Sequence, residues 1–232
     1  MYDAIIISDL HLGSKVCQAK QILKFLNRIE NGELSTSLLI LNGDVFDSWD
    51  FRRLCKQQWK VLSHFRKLSN DIKIIWINGN HDGPADVVSH LLGIDVAEEF
   101  ILESGDKKIM CLHGHQFDDF ISDHPILTKM ADWLYKRLQK IHIHWARNAK
   151  KKSKTFLRCS DKIEKEAKEY AWSKGNQCVC VGHTHLAKSS GQNSEIEYHN
   201  SGCWTELPCS FISIKEGNVK VNYFDNEHIL IT

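Results

Sequence analysis

Ala4-Ile5-Ile6-Ile7-Ser8-Asp9-Leu10-His11 places four apolar residues directly before an Asp-x-His pair. Continuous apolar runs of this length suit strands covered on both faces of a sheet, and the pattern recurs along the chain. Leu38-Leu39-Ile40-Leu41 leads into Gly43-Asp44-Val45-Phe46-Asp47, and Ile72 to Ile77 into Gly79-Asn80-His81-Asp82. Ile109 to Leu112 leads into His113-Gly114-His115, and Val179-Cys180-Val181 into Gly182-His183-Thr184-His185. Between the first of these runs, Val16, Ala19, Ile22, Leu23, Leu26 and Ile29 fall at helical spacing, as do Phe51, Leu54, Cys55, Leu62, Phe65 and Leu68. This strand–helix alternation predicts a layered α/β fold. Ligands of such sheets bind beyond the carboxyl ends of strands, so five polar clusters far apart in sequence are expected to converge on one edge.

The residue types in those clusters suit metals. Asp, Asn and His offer hard or borderline oxygen and nitrogen donors. Asp9-x-His11 and His183-x-His185 let alternate side chains of an extended segment point the same way. Gly beside Asp44, Asn80, His113 and His183 permits tight turns where strands end. One such cluster is weak, because an isolated His is more often a satisfied core residue; five, each placed after a strand, point to one metal site.

Further out, the second half changes character. From Pro125 to Trp172 the pattern reads as helical with no strand, while Glu195 to Asn200, Phe211 to Lys215 and Val219 to Phe224 read as short strands. Glu216-Gly217-Asn218 between the last two reads as a hairpin loop. A length of 232 residues allows one domain or one domain with an insertion. Charge favours the second: residues 129–168 hold 13 Lys and Arg against 4 Asp and Glu, a net of +9, so the remainder carries −8 behind a formal total of +1. Lys150-Lys151-Lys152 is the densest part, either a solvated face or an attractor for anionic substrate, nucleic acid or an anionic membrane surface. Ile126, Met130, Trp133, Leu134, Leu138, Ile141 and Trp145 form an apolar stripe that packs on the body or lines a trough for acyl chains. Met1-Tyr2-Asp3-Ala4-Ile5 lacks the features of a signal peptide, so the expected compartment is cytoplasmic. The eight Cys are then expected to be reduced and structural.

The ordered blocks Asp9-x-His11, Gly43-Asp44-x-x-Asp47, Gly79-Asn80-His81-Asp82, His113 and Gly182-His183-x-His185 resemble the calcineurin-like metallophosphoesterase superfamily. The resemblance implies an α/β sandwich of two mixed sheets flanked by helices, here one domain over 1–232 with a helical lid inserted at about 120–175. It implies two divalent metals, Mn foremost and Fe, Zn or Co next. Asp9, His11, Asp44 and His185 would hold one, and Asp44, Asn80, His113 and His183 the other, with Asp44 bridging. His81 matches a catalytic histidine that is not a ligand, and Asp47 the carboxylate that orients it. His115 either reaches phosphate or hydrogen-bonds beside the site, and Asp82 fixes the loop.

Within the superfamily, Ser8 to Ser14, Cys17-Gln18-Ala19, His113 to Asp118 and Tyr198 to Glu206 are similar to the UDP-2,3-diacylglucosamine diphosphatase-like branch. That implies a glycolipid pyrophosphate substrate, a basic lid with Lys150, Lys151 and Lys152 near the headgroup, and a peripheral position at the inner membrane face. The best-known lipid A enzymes carry Arg where this chain has His81 and Asp where it has His115, and the branch commonly has Asp where Cys203 stands. Two other readings remain open: a phosphodiesterase acting on nucleotides or nucleic acid, and a metal-binding scaffold without catalysis.

Overall fold

The computed structural model of the protein describes residues 1–83, 86–118, 154–191, 195–224 and 229–231. The opening run forms strand β1 (Ala4–Ile7), followed by helix α1 (Ala19–Glu30), β2 (Leu38–Asn42), α2 (Lys56–Leu68) and β3 (Lys73–Ile77). β1, β2 and β3 pair in parallel, as strands joined by crossover helices must. Short elements follow: α3 (Asp86–Leu92), β4 (Asp95–Ala97), β5 (Glu99–Ser104) and β6 (Lys107–Leu112). Beyond residue 153 come α4 (Lys154–Ser173), β7 (Cys178–Val181), β8 (Lys188–Ser190), β9 (Glu197–Asn200), β10 (Cys209–Lys215), β11 (Asn218–Phe224) and β12 (Ile229–Ile231).

Among the described residues the strands build two mixed sheets. One runs β12-β11-β10-β1-β2-β3-β4, the other β5-β6-β7-β9-β8. Side-chain alternation divides each strand between two cores. Ile5 and Ile7 of β1 pack outward with Phe25, Leu26 and Phe65 of the helices, while Ala4 and Ile6 face the second sheet with Ile40, Ile109 and Cys180. On the far side, Val179 and Val181 of β7 pack with Met110, Leu112 and the α4 residues Ala167 and Ala171. The layers are therefore helix, sheet, sheet, helix, as the sequence led one to expect. All eight cysteines are free thiols, and Cys178 and Cys180 lie buried in the core between the sheets.

Several details depart from the sequence reading. The second amphipathic segment is a three-residue 3-10 turn, Phe51–Arg53, and then α2, whose start is fixed by the Cys55 N–H donating to Gln58 Oε1 at 2.9 Å. β5 was not legible because Glu99 and Glu103 interrupt its apolar content; it lies at the edge of its sheet, where polar side chains reach solvent. The β10–β11 hairpin closes in two residues rather than three, with Lys215 paired to Asn218. Glu216 and Gly217 both take positive φ, 50° and 77°, as this tight turn requires. Of the helical segment read from Pro125 to Trp172, α4 is described; its apolar stripe at residues 126–145 and Lys150, Lys151 and Lys152 lie outside the described residues.

α4 is tied to the second sheet through Glu164. Its carboxylate accepts from Lys168 Nζ and Lys188 Nζ, both at 2.7 Å, and from Ser190 Oγ. Burial alone would raise the Glu164 pKa, but these donors more than reverse it and hold the group at about 2. A carboxylate depressed in the folded state contributes stability that is present above its unfolded pKa, about 4.5. That contribution is lost as pH falls through about 2. Glu164→Gln is therefore expected to lower the urea midpoint at pH 7, with the gap from wild type closing between pH 5 and 2. A gap independent of pH would show that Glu164 acts through packing instead.

Candidate metal centre

β1, β2 and β3 run parallel, and so do β6, β7 and β9, which brings the polar segments after these strands to one end of the sandwich. Two triads result. Asp9, His11 and His185 present donor atoms within 4.8 Å of one another, and so do Asp44, His113 and His183. Asp44 lies between them, its Oδ2 3.7 Å from His11 Nε2 and its Oδ1 3.4 Å from His113 Nε2. His11 Nε2 and His185 Nε2 stand 3.1 Å apart, and His185 Nε2 is 3.1 Å from Asp9 Oδ1.

The backbone is bent hard to achieve this. Asp9, His11, Asp44, His183 and His185 all take left-handed conformations, with φ between 47° and 62°. Such conformations cost roughly 1–3 kcal/mol each in a residue other than glycine, and they cluster where the surrounding structure over-determines them for function. Two glycines make room. A Cβ on Gly43, itself at φ 86°, would sit 2.2 Å from His113 Nδ1, and one on Gly79 would sit 2.3 Å from the Asp44 backbone nitrogen. The motif glycines therefore serve close approach as well as turning.

The candidate ligands are held from behind. His113 Nδ1 meets the Asn42 carbonyl at 2.9 Å, which leaves Nε2 toward Asp44. His183 Nε2 meets Asp118 Oδ2 at 2.9 Å, which leaves Nδ1 as its remaining donor. Asp9 Oδ2 accepts from Ser8 Oγ at 2.5 Å and from the His183 N–H at 3.1 Å. Ser8 Oγ is in turn 2.6 Å from Ser201 Oγ. Asn200 Nδ2 donates to the Gly182 carbonyl at 2.7 Å and to Thr184 Oγ1 at 3.0 Å, fixing the loop that carries both histidines. Outer partners of this kind set ring orientation and tautomer at metal sites.

Asp82 ties two loops together, as the sequence suggested. It accepts from Phe46 N–H and Gly79 N–H, both at 3.0 Å, and from Trp76 Nε1 at 3.1 Å. Asp47 does not do what was expected of it. The partner of His81 Nδ1 is the Asp47 backbone carbonyl at 3.2 Å, while its carboxylate pairs with Arg53 Nη2 at 2.5 Å and lies 3.8 Å from His11 Nδ1. Arg53, which pairs with that carboxylate, was not anticipated. His81 is exposed at the mouth, its ring 5.2 Å from that of His11, and its N–H donates to Asp44 Oδ1 at 3.0 Å. Asn80 lies in the same turn and is exposed. His115 stands with its ring 5.5 Å from His113 and 6.4 Å from His183.

Electrostatics follow burial and pairing. Burial opposes charge on His113 and His185, but Asp44 and Asp9 outweigh it and raise them to about 9 and about 10. The same contacts hold Asp9 and Asp44 below the usual carboxylate range against the cost of burial. For His11, burial and then the neighbouring His185 outweigh Asp44 and Asp9 and lower it to about 4. Burial and then His113 lower His115 to about 4, so it is neutral at pH 7. The Cys203 thiol lies beside His185, whose charge outweighs burial and lowers it.

The donors fit a pair of cations. Among the described residues no hydrogen bond satisfies Asp9 Oδ1 or His113 Nε2, although both are buried and both lie close to a potential partner. Two imidazole nitrogens 3.1 Å apart match, within a few tenths of an ångström, the roughly 3.3 Å expected around one tetrahedral ion.

Asp118, Asn200 and Ser201 fall in the blocks similar to the diphosphatase-like branch but had no role assigned, and Arg53 was not singled out, because each acts at a turn or strand end with no spacing rule.

A family model described as calcineurin-like phosphoesterase matches residues 3–187. No curated protein matches the chain. Among solved structures, Yfce, a phosphoesterase from E. coli, is similar over 97% of this chain and 95% of its own, at 16% identity and TM-score 0.53. Vps29 from Chaetomium thermophilum is similar over 99% and 95%, at 13% identity and TM-score 0.54. Vps29 from Entamoeba histolytica complexed with Zn2+ is similar over 99% and 96%, at 15% identity and TM-score 0.50. At these identities the likeness is one of fold.

Asp82→Ala strands three buried donors at once. At about 1–3 kcal/mol for each unsatisfied group, it is expected to cost about 3 kcal/mol or more in urea denaturation and to weaken metal binding. A loss under about 1 kcal/mol would mean the two loops hold their positions without it.

Proposed function

The chain belongs to the calcineurin-like phosphoesterase family, and from that premise we propose that its metal-dependent phosphoester hydrolysis runs on two divalent ions, Mn2+ foremost, and cleaves a pyrophosphate such as that of a UDP-2,3-diacylglucosamine-like glycolipid. The observation that carries the two-ion reading is the pair of triads with the Asp44 carboxylate between them. Asp9, His11, Asp44 and His185 would hold one ion, and Asp44, Asn80, His113 and His183 the other. Ions so placed supply a water of lowered pKa and a clamp on the phosphoryl oxygens. Asp9 and Asp44 return only part of the positive charge, so the loaded centre attracts phosphate.

His81 completes the site from outside the ligand set. Its Nδ1 is engaged by the Asp47 carbonyl, so Nε2 is the nitrogen that passes a proton to the leaving oxygen. Its exposure at the mouth suits a group that meets substrate rather than metal. Asp47 positions His81 through the backbone, and Asp118 positions His183. His115 lies beside the second triad as a neutral hydrogen-bonding group for phosphate.

The glycolipid reading draws on where the branch-like blocks fall. Gln18 N–H donates to the Trp204 carbonyl at 2.9 Å, and Trp204 N–H to the Asp9 carbonyl at 3.1 Å. With Ser8, Ser201 and Asp118 they pack directly behind the metal ligands. No helix among the described residues is long and apolar enough to cross a membrane. The basic segment around Lys150, Lys151 and Lys152 is assigned to a lid that meets the lipid headgroup at a cytoplasmic membrane surface.

With Mn2+ present, hydrolysis of UDP-2,3-diacylglucosamine, a nucleotide diester and a phosphomonoester should rank the pyrophosphate first in kcat/KM. A diester ranked first would overturn the glycolipid in favour of a nucleotide phosphodiesterase. No turnover of any substrate by metal-loaded protein would favour a scaffold. Asp44→Ala should lose more activity than the roughly 100-fold typical of outer partners, together with bound metal. His81→Gln should lower kcat by about 10²–10⁴ at unchanged metal content; loss of metal in that variant would make it a ligand instead.

A further inference from the structure

A second set of metal-binding side chains lies at the other end of the sandwich. Cys178 opens β7 and Glu197 opens β9, and the two are register partners in a parallel pair, so their side chains share a face. His199, two residues along β9, lies on that face as well. Donor atoms of Cys178, Glu197 and His199 fall within 4.8 Å of one another. About 10 Å of strand separates Cys178 from the loop that carries His183.

The arrangement is built rather than incidental. Ser189 Oγ lies 2.9 Å from His199 Nδ1 and fixes the ring. Among the described residues His199 Nε2 has no hydrogen-bond partner, in a residue 1% exposed, with Glu197 Oε2 3.7 Å away. The other Glu197 oxygen accepts from Lys107 Nζ at 2.8 Å, which holds the carboxylate in place. A cleft of about 320 Å³ lined by Lys107, Glu197, His199, Glu216 and Val219 leads to the group from solvent.

We infer that Cys178, Glu197 and His199 bind a borderline divalent ion of the Zn2+ class, with a fourth position open to water in the cleft. One thiolate, one imidazole and one carboxylate form a donor set that Zn2+ or Co2+ takes in preference to Mn2+ or Mg2+. Thiolate and carboxylate together offset the two charges of the ion, as a buried site demands, and the Lys107 ammonium that pairs with Glu197 is half-buried where the cleft meets solvent. A hydrogen bond with Cys180 and then burial push the Cys178 thiol well above its ordinary pKa. Binding therefore exchanges the S–H proton for the S–metal bond, and the proton leaves through the cleft to solvent. The site shares no residue with the phosphoesterase centre and does not depend on hydrolysis.

Co2+ titration of chelator-treated protein tests this through the thiolate-to-cobalt charge-transfer absorption in the near ultraviolet. Wild type should show the band. Cys178→Ser should lose it, and Cys203→Ser should keep it, although the Cys203 thiol lies beside His185. Glu197→Gln, altered at a half-buried position that disturbs the core least, should weaken the Co2+ affinity read from the band by about tenfold or more. No band in wild type, a band that survives Cys178→Ser, or a band lost only in Cys203→Ser overturns the site. Should Cys178→Ser fail to fold, unchanged affinity in Glu197→Gln overturns it equally.

Discussion

Two carboxylates, Asp9 and Asp44, are buried to 0% and 1% exposure at the ends of the first two strands. An ionised carboxylate in such a place must be compensated by opposite charge and hydrogen bonds. Much of the molecule answers that demand. Imidazoles arrive from four different loops, Ser8 and backbone N–H groups complete the oxygens, and the parallel strands exist in the order that delivers them. The left-handed backbone at five of these residues is unfavourable in isolation and is held by the two sheets behind it. Function and fold are coupled here through electrostatics: a site that concentrates Lewis-base atoms is one that divalent cations stabilise.

The division of labour among histidines follows from their second nitrogen. His113 and His183 each spend one on an oxygen, the Asn42 carbonyl and Asp118, and keep the other for the centre. His81 spends one on the Asp47 carbonyl and keeps the other for the mouth. In each case the oxygen behind the ring fixes which nitrogen is left to face the centre or the mouth. His199, within β9, likewise has one nitrogen engaged, with Ser189 behind it.

The strands that carry the site were legible because they are buried on both faces and read as unbroken apolar runs. Their clusters were legible because Asp-x-His and His-x-His spacing survives in any extended segment. Edge elements such as β5 and β8 were not, since polar residues that face solvent erase the pattern. Spacing also says nothing of which atom of a residue acts. Asp47 was chosen for its carboxylate, yet Arg53 takes the carboxylate and the carbonyl serves His81. The Cys178, Glu197 and His199 group was hidden for a similar reason. Its members are ordinary strand residues until the parallel register of β7 and β9 sets them side by side.

Anomalous diffraction at the manganese edge, from crystals equilibrated with Mn2+, would locate the ions. Two peaks are expected, one among Asp9, His11 and His185 and the other among Asp44, His113 and His183, with the Asp44 carboxylate touching both. A single peak, or peaks away from the two triads, would contradict the two-ion reading.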